Sequence, residues 1–140
     1  MPQTSTPGPV PHPDDMPSQD GPHAGVVLTG RNGDDGTKAF YIHIEARPDK
    51  TAEVRKMLQD ILGYVEGEPA TGPWYAVRYS PTTFGIFEVF PDLAGRLAHV
   101  EGGGGTIFRD VERMNDILVS PAHVYRVDVL MSKQVFTASR

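Results

Sequence analysis

Between Ala39 and Arg47 apolar and polar positions alternate, with Phe40, Ile42, Ile44 and Ala46 on one side and Tyr41, His43, Glu45 and Arg47 on the other. A period of two predicts a strand half-buried against a core. Pro48-Asp49 stops it, and Val54, Met57, Leu58, Ile61, Leu62 and Val65 then recur at spacings of three and four, the stripe of an amphipathic helix ending near Gly67. Two β-rich runs follow, Trp74 to Ser80 and Thr82 to Phe90, which Pro81-Thr82 folds into a hairpin. Pro91 cannot donate to a ladder, and Asp92 can cap a helix whose apolar positions are Leu93, Leu97 and Val100. The glycines from Gly102 to Gly105 weaken or break that helix, since each costs ~1 kcal/mol relative to alanine. Ile107, Phe108, Val111, Met114 and Leu118 restore the helical period, and Val124 to Met131 reads as a last strand.

The order from Ala39 is βαββαβ, an α+β, ferredoxin-like pattern in which a four-stranded antiparallel sheet buries one face under two helices. Residues 39–133 form this domain, and 134–140 are a C-terminal tail. Residues 1–38 hold seven of the chain's 13 prolines and five aspartates against only Arg31 and Lys38. Such a segment buries too little surface to offset its ordering entropy, so a disordered arm is expected. Its one apolar cluster, Val26-Val27-Leu28, is open to service as an edge strand or to packing on a partner; a flexible linker is the expectation.

The second face of the sheet bears on function. Choosing on each strand the register opposite the most apolar one collects Tyr41, His43 and Glu45, then Trp74 and Arg78, Glu88 between Ile86 and Phe90, and Arg126 with Asp128. A solvated sheet would also carry charges there. Leaving Trp74, Ile86 and Phe90 wet is unfavourable, however, and pairing two sheets would enclose them, so a homodimer is expected.

Net charge is −5, of which −3 falls in residues 1–38, leaving a nearly neutral remainder without a basic stripe. That argues against nucleic acid as a partner. No apolar run approaches the ~20 residues of a membrane span, and the start lacks the pattern of a secretory signal, so no membrane association and a cytoplasmic location are expected. The absence of cysteine excludes disulfides and thiolate chemistry within the chain.

His43, His99 and His123 fall on different elements, and no H-x-x-x-H pattern supplies paired ligands, so no metal is expected. His99 is the candidate for proton transfer, because an imidazole with a pKa near ~6.5 exchanges protons at neutral pH; the alternative is a hydrogen-bonded histidine near the surface. The glycine run follows a helix rather than a strand and precedes no Lys-Ser or Lys-Thr, which makes it a flexible break or hinge and not a phosphate loop. No dinucleotide fingerprint or nucleophile elbow is present, and no cofactor is expected.

The run Pro81-Thr82-Thr83-Phe84-Gly85-Ile86-Phe87, followed by Phe90-Pro91-Asp92 and Gly95-Arg96-Leu97-Ala98-His99, resembles the antibiotic-biosynthesis-monooxygenase domain family. So do Ala39 to Arg47 before a Pro-Asp-Lys helix start, and Val127-Asp128-Val129-Leu130 with Lys133. The resemblance spans about Phe40 to Lys133. It implies a dimeric αβ barrel, each subunit enclosing a pocket, that oxidises electron-rich phenols or quinols with molecular oxygen and without flavin, haem or metal. A deprotonated hydroquinone can itself give an electron to oxygen, so such a protein need only bind it, remove a proton and hold the anion. His99 matches the family's helix histidine. The related haem-degrading branch has a second helix histidine about where Phe108-Arg109-Asp110 stands here, which disfavours haem.

The sequence thus leads to a cofactor-independent monooxygenase of a small aromatic phenol or quinol. His99 would take or relay the proton, Arg78 would stabilise the phenolate, Trp74 would stack on the ring, and His43, Glu88 and Tyr125 would line the pocket. The competing readings are a non-catalytic barrel that binds an aromatic metabolite and an isomerase or cyclase on the same fold.

Overall fold

The computed structural model describes residues 22–34 and 36–133. The described chain runs β1 (Val26–Thr29), β2 (Thr37–Glu45), α1 (Thr51–Val65), β3 (Trp74–Arg78), β4 (Thr83–Phe90), α2 (Leu93–Glu101), α3 (Gly103–Arg109), α4 (Val111–Ile117) and β5 (Ala122–Val129). The sheet order is β1-β5-β2-β4-β3, with β1 parallel to β5 and every other pairing antiparallel. The α+β class and the βαββαβ core agree with the sequence pattern.

The sheet differs from the expected one by a strand: it is five-stranded and mixed, not four-stranded and antiparallel. The added strand is the Val26-Val27-Leu28 cluster, whose backbone pairs with the edge that β5 would otherwise leave open. Its connection to β2 crosses over β5, and two glycines make that crossing possible. Gly30 and Gly36 have φ of 86° and 63°, and a side chain at either would collide with the carbonyls of Arg126 and Val129. Most of the sequence-expected arm, residues 1–21, and the tail at 134–140 lie outside the described residues.

The sheet packs one face on the helices. Phe40, Ile42 and Ile44 of β2, Phe84, Ile86 and Phe90 of β4, and Ala122 and Val124 of β5 meet Val54, Met57, Ile61 and Val65 of α1. Here the register inferred from sequence is corrected. Glu88 lies opposite Phe40, Trp74 opposite Glu88, Arg78 opposite Phe84 and Arg126 opposite Phe40, so all four stand on the helix-covered face, as do Ile86, Phe90 and Asp128. On β4 the large apolar residues Phe84, Ile86 and Phe90 share a parity with Glu88 and carry it into the core. Antiparallel pairing then fixes β3 in the same register.

The region after Asp92 departs further. Asp92 caps α2 as expected, its Oδ1 accepting from the Gly95 N–H at 2.8 Å. Yet Leu93 and Leu97 point to solvent, at 42% and 57% exposure, and the buried face is Gly95, Arg96 and His99. Nor is the glycine run only a break: Gly102 separates α2 from α3, and Gly103 to Gly105 form the first turn of α3.

Candidate functional site

The site is built from three places in the chain. Strand β4 carries Glu88 inward, 1% exposed; α2 brings His99 down over it, 7% exposed; the turn after α1 supplies Glu68. His99 Nε2 lies 3.1 Å from Glu88 Oε2, and His99 Nδ1 lies 2.7 Å from Glu68 Oε1, which also accepts from the Thr71 hydroxyl at 2.8 Å. The imidazole is thus held between two carboxylates. The rings of Phe90 and Phe40 stand 5.1 and 6.3 Å from it, tilted, and keep water from its flanks.

Burial alone would lower the His99 pKa, because a charged imidazolium loses its hydration. The hydrogen bond and negative charge of Glu88, followed by those of Glu68, outweigh that penalty and hold it above the ordinary histidine value. The arrangement favours an imidazolium donating from both nitrogens. One carboxylate oxygen remains: among the described residues, Glu88 Oε1 and the Trp74 Nε1 are the buried side-chain polar atoms without a hydrogen-bond partner.

Beside this chain of charges is a cavity of about 210 Å³ between the sheet and α2 and α3. Its walls include Leu28, Ile42, Val124 and Phe108, with Glu88 and His99 also facing it. An apolar cavity of roughly 150 Å³ suffices for benzene, so this one admits a single aromatic ring. Strand β1 contributes Val26 and Leu28, which makes the unexpected strand part of the cavity wall. Helix α3 comes close because it begins with glycines: a methyl group on Gly104 would stand 3.1 Å from His99 Cε1.

The residues singled out from sequence fall in three groups. His99 and Glu88 are brought together. Trp74 and Arg78 line a different hollow, shared with Arg55 and Leu58 of α1, and the Arg78 guanidinium is engaged by the carbonyls of Ser80 and Pro81 at 3.1 and 2.8 Å. His43 and Tyr125 stand on the uncovered face of the sheet, where His43 meets Glu45 at 2.6 Å and Tyr125 stacks on His123 with ring centroids 3.9 Å apart. Sequence reasoning missed Glu68, a turn residue with no local signal. It also missed Arg96, although Arg96 precedes His99 by three residues and therefore shares its helix face. Buried Arg96 donates to the carbonyls of Ala39 and Val127 and to Asn32 Oδ1, at 3.0, 3.2 and 2.8 Å, and so ties α2 to the sheet.

No family model and no curated protein matches the chain. Solved structures do. The NE2512 protein of unknown function from Nitrosomonas europaea is 30% identical, with a TM-score of 0.65 over 75% of this chain and 100% of that one. A "Putative antibiotic biosynthesis monooxygenase" from the same organism is 17% identical, with a TM-score of 0.59 over 67% of this chain and 99% of its own. Another of that description, from Caulobacter crescentus CB15, is 17% identical, with a TM-score of 0.58 over 69% and 92%. The latter two share the fold with this chain. No helix among the described residues is long and apolar enough to cross a membrane. With the NE2512 protein, the chain belongs to a family built on the antibiotic-biosynthesis-monooxygenase-like fold.

Proposed function

We propose that the protein is a cofactor-independent monooxygenase that oxidises a small phenol or quinol with molecular oxygen in the cavity beside His99. The observation that carries this reading is the Glu68–His99–Glu88 chain, with His99 and Glu88 buried, abutting an apolar cavity of ring size. The chain supplies a route for a proton, and the apolar walls bind the ring and keep water from the anion. The neighbours described as antibiotic biosynthesis monooxygenases lend the fold-level analogy. Of the roles suggested by sequence, a place for His99 on the proton's route and lining by Glu88 fit this cavity. Trp74, Arg78, His43 and Tyr125 do not border it, and ring stacking and anion stabilisation pass to Phe40 and to the His99 imidazolium.

We further propose a cytoplasmic homodimer paired through the uncovered sheet face. Trp74, Ile86 and Phe90 do not support it, since those side chains belong to the covered face. Tyr41, Tyr75, Val77, Phe87 and Tyr125 replace them: they share the other face, with Tyr75, Val77 and Tyr125 exposed. An aromatic surface of this kind is costly to leave wet.

Incubating metal-free protein with a panel of hydroquinones tests the activity. Protein-dependent oxygen uptake with a product heavier by one oxygen atom is expected. An isobaric product would point instead to an isomerase, and retained ligand to a binding protein.

A further inference from the structure

We propose that Glu88, through its free Oε1, is the group that takes the substrate's hydroxyl proton, and that His99 and Glu68 are positioning residues behind it. The inference rests on the reading of the cavity as a phenol or quinol site and deepens it.

Three observations lead there. Both nitrogens of His99 are occupied, at 2.7 Å by Glu68 and at 3.1 Å by Glu88. An imidazolium between two carboxylates donates twice and keeps no lone pair for an incoming proton. Second, Glu88 is a carboxylate in the core of the sheet, opposite Phe40, with Oε2 held and Oε1 unpartnered. A buried acceptor left empty is costly, and a ligand that donates a hydrogen bond removes that cost. Third, Glu88 faces the cavity, whose other walls are largely apolar and offer a ring no comparable acceptor. Arg109 also borders the cavity, but its guanidinium donates to the Val100 carbonyl at 2.7 Å and to the Thr106 hydroxyl at 3.2 Å.

The ligand class follows. The cavity takes an uncharged aromatic molecule whose hydroxyl donates to Glu88 Oε1. In the proton-transfer step the phenolic O–H bond breaks and the Oε1–H bond forms. The phenol oxygen keeps the electron pair as phenolate, and no atom changes oxidation state. Glu88 becomes a neutral acid, which leaves the His99 imidazolium less compensated and so able to stabilise the phenolate beside it. Glu68 holds the imidazole at its far nitrogen, in the manner of a carboxylate that orients a histidine without itself accepting the proton.

Para-nitrophenol is the probe, because its anion absorbs visibly where the neutral form does not, and para-nitroanisole is its control, since methylation removes the donor and little else. Calorimetry on the full chain is expected to show the phenol binding about ten- to a hundredfold more tightly than the ether, the range for a hydrogen bond to a charged acceptor. Bound phenol is expected to show the anion's absorbance at a pH where free phenol does not. In Glu88→Gln, binding is expected to persist within a few-fold, because the amide carbonyl still accepts, while the anion's absorbance disappears. Equal affinity of phenol and ether, or an undiminished anion in Glu88→Gln, would overturn the proposal. If Glu88→Gln does not fold, the phenol–ether comparison on the unaltered protein decides. These measurements need no oxygen. Phenol binding and ionisation without oxygen uptake would leave Glu88 as the acceptor and remove the oxygenase; oxygen uptake with equal affinity for phenol and ether would do the reverse.

Discussion

Helices α1 and α2 cover the same sheet, and they do it in opposite ways. Helix α1 buries all but Leu62 of the stripe its sequence advertises, with Val54, Met57, Leu58, Ile61 and Val65 turned inward. Helix α2 turns two of its three apolar positions, Leu93 and Leu97, outward and buries Arg96 and His99. Burying ionisable groups costs free energy unless each is paired, and each is: Arg96 by carbonyls and an amide, His99 by two carboxylates. An apolar α2 would cover the sheet at lower cost. The contrast separates a helix that holds the fold from one that carries the proposed chemistry, and substitutions on each should fail in different ways.

The largest expected effect is at His99. His99→Gln keeps a donor of similar size but lacks the imidazolium's charge, so Glu88 loses its positioning partner and the phenolate its stabilising cation; turnover should fall roughly 10²–10³-fold, as for the loss of one preorganised donor to a developing anion. The pH dependence of stability gives a separate readout. Because the folded pKa of His99 is raised, its pairing stabilises fully below the unfolded value near ~6.5 and is lost as pH rises through the folded value. Unfolding of the unaltered protein should therefore become easier across that window, by at most ~1.4 kcal/mol per pH unit, and His99→Gln should lack the decline. Full activity in the variant would make His99 a structural residue. Oligomeric state is to be read on the same sample, so that a change of assembly is told apart from loss of the ion pairs at His99.

On α1 the expectation inverts. Met57 is fully buried and does not line the candidate cavity, so Met57→Ala should cost about 2–5 kcal/mol in urea unfolding while turnover per folded molecule stays unchanged. The outward Leu97 is the control: Leu97→Ala should shift stability by no more than about 0.5 kcal/mol. A large loss there would mean that a partner covers α2.

The same contrast explains what the sequence revealed. In β2 and α1 burial follows side-chain polarity at all but a few positions, buried Lys38 and exposed Leu62 among the exceptions, so periodicity located both elements and their inward faces. It failed where burial depends on a partner distant along the chain. Glu88 is carried inward by Phe84, Ile86 and Phe90 and met there by His99; no pattern within β4 announces that pairing. Glu68 lies in a turn, and only the folded chain brings it within 2.7 Å of His99. His99 is singled out by the family resemblance, whereas no polarity pattern within α2 marks its pairing with Glu68 and Glu88. Strand β1 lies in a segment whose Pro- and Asp-rich composition predicts a linker, and it forms because the free edge of β5 pairs with it.

The smallest and sharpest test compares two glycines. Gly63 on α1 faces open space, and alanine there should stabilise by up to ~1 kcal/mol through helix propensity alone. Gly104 on α3 has the same propensity to gain, but its added methyl would stand 3.1 Å from His99 Cε1. Relief requires the imidazole to move, and moving it stretches the contacts to Glu68 and Glu88 together. Gly104→Ala should therefore destabilise in urea unfolding where Gly63→Ala stabilises, and turnover should fall only in the former. Equal stabilisation by both would show that His99 yields easily, and an imidazole that yields cannot be the fixed positioning group between Glu68 and Glu88.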